Sequence, residues 1–159
     1  MVITYLGNDV FKVQFGEATL TFGEDLKVKK GTNPPFIITG PGEYEVGGVF
    51  IKGFPGDIYT INLENMNVCF MNSIPESINE DLEEVDILFV NVADAGKAYK
   101  LAVSLEPSIV IPTRYSDAQL KAFLKEAGST VKSEQKLTLK RKDLEGKKAE
   151  VVVLESVKE

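Results

Sequence analysis

Gly47 and Gly48 stand between two strand-like runs, GEYEV and VFIKGF, and this juxtaposition constrains the chain more tightly than any other stretch. Two consecutive glycines between such runs specify a tight hairpin, because the residues of its turn need positive φ. The hairpin sets Val46 opposite Val49. Its register then places Tyr44 against Ile51, Glu45 against Phe50, and Glu43 against Lys52 as a cross-strand pair of opposite charge. Gly40-Pro41-Gly42, just before it, reads as a turn in which Pro presets one φ and Gly accepts the next. The glycines do not make a phosphate loop: no Ser or Thr follows Lys52, and no strand-to-helix switch is evident.

The same rhythm of short runs and turns fills the first part of the chain. Strands are expected over residues 2–6, 10–15, 18–22, 36–39, 58–63 and 68–71, with Phe22 joined to Phe36 only by GEDLKVKKGTNPP. Near Ser73 the period changes. Ile74, Ile78, Leu82 and Val85 recur at helical spacing behind Pro75, which predicts a helix with an acidic outer face. DILFVNV and SIVIP are continuous apolar strands covered on both sides, and AGKAYKLAVSL between them is an amphipathic helix. A second helix starts at a capping box of Ser116 and Gln119 and stops at Gly128. Two strands, over residues 136–140 and 149–154, close the chain around KDLEGKK. With 159 residues and neither repeat nor linker, one domain of the α+β class is expected, sheets in the middle and helices outside.

Composition removes several function classes. A net charge of -6 opposes a nucleic-acid footprint, and no apolar run approaches the ~20 residues of a membrane span. Met1 leads into VITYL without the features of a secretion signal, so a cytoplasmic location is expected. Cys69, the single cysteine, lies in VCFM and reads as a buried inert thiol. Histidine is absent, which eliminates Ser-His and Cys-His catalysis and imidazole ligands. Carboxylates remain: Asp9, Glu43, Glu45, Asp57, Asp94 and Asp117 fall near strand ends or turns, as oxygen ligands for magnesium or manganese or as solvated turn and cap residues. An acidic run over residues 76–86 and a basic group of Lys136, Lys140, Arg141, Lys142, Lys147 and Lys148 are either solvated faces or complementary docking patches.

MVITYLGNDVFKVQ, FIITGPGEYEVGGVFIKG, NVCFMNS, DILFVNV and LEPSIVIPTRY together resemble the metallo-β-lactamase superfamily, in its branch of small lactonase-like hydrolases. GPGEYEVGGVFI is the most specific of these stretches. The resemblance implies an αββα sandwich, two β-sheets flanked by helices, with a dinuclear metal site at one edge whose hydroxide attacks an ester, lactone or phosphodiester. The ligands for that chemistry are missing. Asn8 stands where the branch usually has a histidine, the His-x-His-x-Asp-His block has no counterpart between Phe22 and Phe36, and Arg114 takes the place of the final histidine. The later histidine and the bridging aspartate are replaced by Phe70 and Ser73, or by their neighbours at a one-residue shift.

The expectation is therefore a truncated, catalytically inactive metallo-β-lactamase-like domain over residues 1–159, with no metal or cofactor. It acts on a protein partner or as a homo-oligomer, and on neither nucleic acid nor membrane. Loss of the block should expose apolar surface that a dimer covers. Asn8, Asp9, Ser73 and Arg114 are the residues expected around the vacated pocket, with Asp9, Glu43 or Asp117 pairing the Arg114 guanidinium. Two alternatives stand beside this reading: a hydrolase with a carboxylate-held metal or none, using Asp9, Glu43, Asp117 and Arg114, and a small-anion sensor using Asn8 and Arg114.

Overall fold

The structure, a computed structural model, describes residues 1–79, 81–82, 84–128 and 132–157, with Lys132 described by its backbone only. Five strands come first: β1 (Val2–Gly7), β2 (Val10–Phe15), β3 (Ala18–Phe22), β4 (Leu26–Lys30) and β5 (Phe36–Ile38). Then follow β6 (Gly42–Val46), β7 (Val49–Phe54), β8 (Ile58–Leu63), β9 (Met66–Met71) and β10 (Ile87–Asn91). Helix α1 (Ala95–Leu105), β11 (Ile109–Thr113) and α2 (Asp117–Ala127) precede β12 (Lys132–Glu134), β13 (Lys136–Thr138) and β14 (Glu150–Leu154). The first sheet is antiparallel with the order β13-β1-β2-β3-β4-β5. The second has the order β12-β14-β11-β10-β9-β8-β7-β6, antiparallel from β6 to β9 and parallel from β9 to β12.

Alternation along each strand decides what lies between the sheets. Val13, Leu20, Leu26 and Val28 from the first sheet meet Ile61, Val68, Ile87 and Ile111 from the second, all essentially without exposed surface. Phe11, Phe22, Phe70 and Phe89 make the aromatic centre of this layer. The other face of the second sheet buries Cys69, Leu88, Val90 and Val110 under Ala98, Leu101 and Ala102 of α1 and Phe123 of α2. Residues 87–90 and 109–112, within DILFVNV and SIVIP, are thus continuously apolar because both faces of their strands are covered, as their composition predicts. Both helices carry the expected signals: Asp94 and Ser116 are N-caps, Ser116 and Gln119 form the capping box, and Gly128 ends α2 at φ 63°.

The Gly47-Gly48 hairpin has the register read from sequence, with Glu43 opposite Lys52 and Val46 opposite Val49 and both turn residues at positive φ. Gly53, inside β7, answers to another constraint. A Cβ there would stand 2.6 Å from the Gly40 carbonyl oxygen, and the Tyr44 hydroxyl holds that loop by donating to the carbonyls of Thr39 and Gly40. Gly53→Ala is expected to destabilise the protein by ~1–3 kcal/mol through this overpacking. Urea unfolding with a lower midpoint at unchanged slope is the measurement, and an unchanged midpoint contradicts the tight approach.

Several expectations fail. LKVKK in the Phe22–Phe36 connection is strand β4, with Leu26 and Val28 buried and its lysines exposed. The helix expected over residues 74–85 is not formed by the described residues; the Asn79 side chain accepts from the Asp81 N–H at 2.8 Å, a local turn that competes with helix. Glu80 and Glu83 of that run lie outside the described residues. The two closing strands are formed as expected, β13 and β14; they join different sheets, so KDLEGKK carries the chain between layers. Helices flank the sandwich on one side only: α1 and α2 both pack on the second sheet.

The outer face of the first sheet is polar and does not supply the apolar surface expected from loss of the block. Across the strands it runs Lys136, Thr4, Lys12, Thr21, Lys27 and Ile37, with its apolar exposure at Ile37 on the β5 edge. A polar face needs no dimer to cover it. Part of the charge complementarity read between the acidic run and the basic group is satisfied within the chain, where Arg141 pairs with the buried Asp86 at 2.9 Å. No helix among the described residues is long and apolar enough to cross a membrane.

Candidate functional site at the strand ends

The parallel strands β9, β10 and β11 end on the same side, and the residues at or just past their ends are Asn72, Asn91 and Arg114. Carboxyl ends of parallel strands are where open α/β sheets form binding crevices. Here they face two turns of the first sheet, β1–β2 with Asn8 and Asp9, and β3–β4 with Gly23, Glu24 and Asp25. The resulting cleft of about 340 Å³ is lined chiefly by Asn8, Asp9, Glu24, Asp25, Lys27 and Arg114.

Arg114 bridges the two sheets. Its backbone turns at φ 53° directly after β11, and its guanidinium donates from Nε to Asn72 Oδ1 at 2.9 Å and from Nη2 to the Gly23 carbonyl at 2.7 Å. Asn72 is held in turn: its carbonyl accepts from Asn91 Nδ2 at 2.7 Å, its N–H donates to the Asp57 carbonyl at 3.2 Å, and its Nδ2 reaches the Gly23 carbonyl at 3.3 Å. Thr113, one residue before Arg114, is only 2% exposed, and among the described residues its hydroxyl has no hydrogen-bond partner. Asp9 is half-buried, with its N–H donated to the Tyr5 hydroxyl at 3.1 Å. Beside it, the Tyr115 hydroxyl is pushed above its ordinary pKa by burial, then by the neighbouring Tyr5, Asp9 and Asp117.

Asn8, Asp9 and Arg114 are therefore brought together, as expected, and Ser73 is not: its hydroxyl donates to the Gly56 carbonyl at 2.6 Å. Phe70 is a core ring without exposed surface. The partner expected for Arg114 is also different. Among the described residues no carboxylate pairs with it; Glu43 faces Lys52 on the far edge of the second sheet, and Asp117 lies in the first turn of α2. Asp94 caps α1 and Glu45 accepts from the Gly48 N–H, which are the structural roles of turn and cap carboxylates. Sequence reasoning missed Asn72, Asn91 and Gly23; the one-residue ambiguity in FMNS was a hint for Asn72 alone.

Among the described residues no three carboxylate or thiolate side chains converge as a metal-holding set. No protein-family model, curated protein or solved structure matches the chain. The groups at the cleft are a fixed guanidinium, an amine, an amide, a hydroxyl and carboxylates, and with no histidine in the sequence there is no imidazole base. Cys69 supplies no nucleophile, since it is fully buried on the helix side of the second sheet with its pKa pushed up to about 12.

Proposed function

We propose that the chain is a catalytically inactive relative of the metallo-β-lactamase superfamily that works by binding. The observation that carries this reading is the donor set at the strand ends. Asn72, Asn91 and Arg114 sit there in a hydrogen-bonded chain that ends on the Gly23 carbonyl. Amides and a guanidinium are not the ligands that zinc selects, and a guanidinium cannot be deprotonated to become one. Arg114 puts a fixed positive charge where a hydrolase of that superfamily keeps its metal, and it ties the sheets together in doing so. Two sheets face to face support the resemblance at the level of a layered α+β architecture, although the helices cover the second sheet alone among the described residues. The lysine and threonine face of the first sheet favours a polar partner over an apolar dimer.

A second reading, a hydrolase with a carboxylate-held magnesium or manganese, has one observation in its favour: Asp9, Glu24 and Asp25 line a single cleft, although they do not converge there as a metal-holding set. One experiment separates the two. Untagged protein purified without chelator or metal resin is expected to hold less than about a tenth of a metal ion per chain. It is also expected to show no metal-dependent hydrolysis of phosphodiesters or lactones. Near-stoichiometric magnesium or manganese together with turnover overturns the binding reading and installs the hydrolase.

A further inference from the structure

We propose that the Arg114 cleft takes a small organic zwitterion, its carboxylate on Arg114 and its ammonium on Asp9; this rests on the binding reading of the same cleft. Arg114 commits Nε and Nη2 to neutral acceptors, an amide oxygen and a backbone carbonyl. Among the described residues its Nη1 donors have no partner, and no carboxylate neutralises its charge. The guanidinium is pre-organised, because Asn72 that holds Nε is itself fixed by Asn91 and by the Asp57 carbonyl. A planar fork held in place matches a carboxylate with little further ordering.

The same cleft also carries the opposite sign. Asp9 is half-buried on the β1–β2 turn, while Glu24, Asp25 and Lys27 make an exposed rim. This lining selects by elimination. A simple anion drawn to Arg114 also meets three carboxylates, and a simple cation drawn to Asp9 also meets Arg114 and Lys27. A molecule with both charges satisfies Arg114 and Asp9 together, and repulsion at either end disfavours single-charge competitors. The volume, about 340 Å³, lies at the lower end of the ~300–1,000 Å³ of ligand pockets and fits a small metabolite. The half-buried positions of Arg114 and Asp9 strengthen their interactions relative to rim charges, which salt screens.

Isothermal titration of the full chain with the unbranched ω-amino acids from glycine to 6-aminohexanoate tests this. Acetate and methylammonium serve as single-charge probes. At least one member of the series is expected to bind saturably, and about tenfold or more tighter than either single-charge probe. Asp9→Asn is expected to bind that ligand no better than acetate, and Arg114→Gln no better than methylammonium, each with an unchanged circular dichroism spectrum. Should Arg114→Gln fail to fold for want of its cross-sheet bonds, Asp9→Asn still decides the ammonium half, and Arg114→Lys tests the fork, with weakened binding expected. Acetate binding as tightly as the best amino acid overturns the zwitterion in favour of an anion site. Absence of binding by the whole series up to about 10 mM overturns the ligand assignment. Either result leaves the catalytically inactive reading standing, because that reading falls only on metal content with hydrolysis.

Discussion

Phe89→Ala is expected to cost ~3–5 kcal/mol of unfolding free energy, the range for truncating a fully buried aromatic ring. Phe89 has no exposed surface and sits on β10, in the middle of the second sheet. Its ring stacks on Phe70 at 4.6 Å and meets Phe11 edge-on at 5.4 Å and Phe22 at 6.5 Å. Removing it therefore loses apolar burial and aromatic contacts to both sheets at once, and leaves a hole that rigid strands cannot close. Set against the ~5–15 kcal/mol of a typical domain, the loss is a large part of the total. Phe50→Ala is the control: Phe50 is 68% exposed, and its truncation is expected to stay within ~0.5 kcal/mol. Urea unfolding of both variants at unchanged slope is the measurement. A Phe89→Ala loss below about 1 kcal/mol contradicts the inter-sheet packing described here.

Local pairing was legible in the sequence because its causes are local. Gly47-Gly48 fixes the β6–β7 register, and Ser116 with Gln119 starts α2, since each signal and its effect lie within a few residues. β4 is readable in the alternation of LKVKK, which lies inside the connection between Phe22 and Phe36. The acidic run failed for the opposite reason: its apolar spacing is helical, yet the Asn79 turn and the crowding of like charges weigh against helix in a segment whose Val85 is buried by the second sheet anyway.

The cleft was half legible. The turn at Asn8 and Asp9 and the end of β11 at Arg114 stand out as positions, but their meeting depends on the order of strands in two sheets. The Gly23 carbonyl that receives Arg114 belongs to a residue 91 positions away, and no residue-type preference marks a backbone oxygen as a partner. A carboxylate was the natural expectation for a guanidinium. The structure gives it neutral acceptors, which hold the side chain without cancelling its charge, and that difference gives the cleft its proposed chemistry.

Stability is expected to fall steeply as the pH rises from 9 towards 12, and Cys69 is the main cause. The buried thiol holds its proton up to about 12 against an ordinary value of 9.0, because the thiolate has no solvent around it. Between these two values the unfolded chain has released a proton that the folded chain keeps. The unfolded state then binds fewer protons, so raising the pH favours unfolding. The contribution is intact below pH 9 and lost by pH 12, a difference on the order of 4 kcal/mol at about 1.36 kcal/mol per pH unit. Tyr59 and Tyr115, whose pKa values burial also raises, act in the same direction above pH 10. Cys69→Ala isolates the thiol: the variant is expected to start below the native protein at pH 7, where it lacks the buried sulfur, and to lose less as the pH rises. Unfolding free energies measured from pH 8 to 11 should therefore converge. Parallel curves for the two proteins contradict this assignment, since a thiol that water reaches in the folded state ionises alike in both states and leaves no slope of its own.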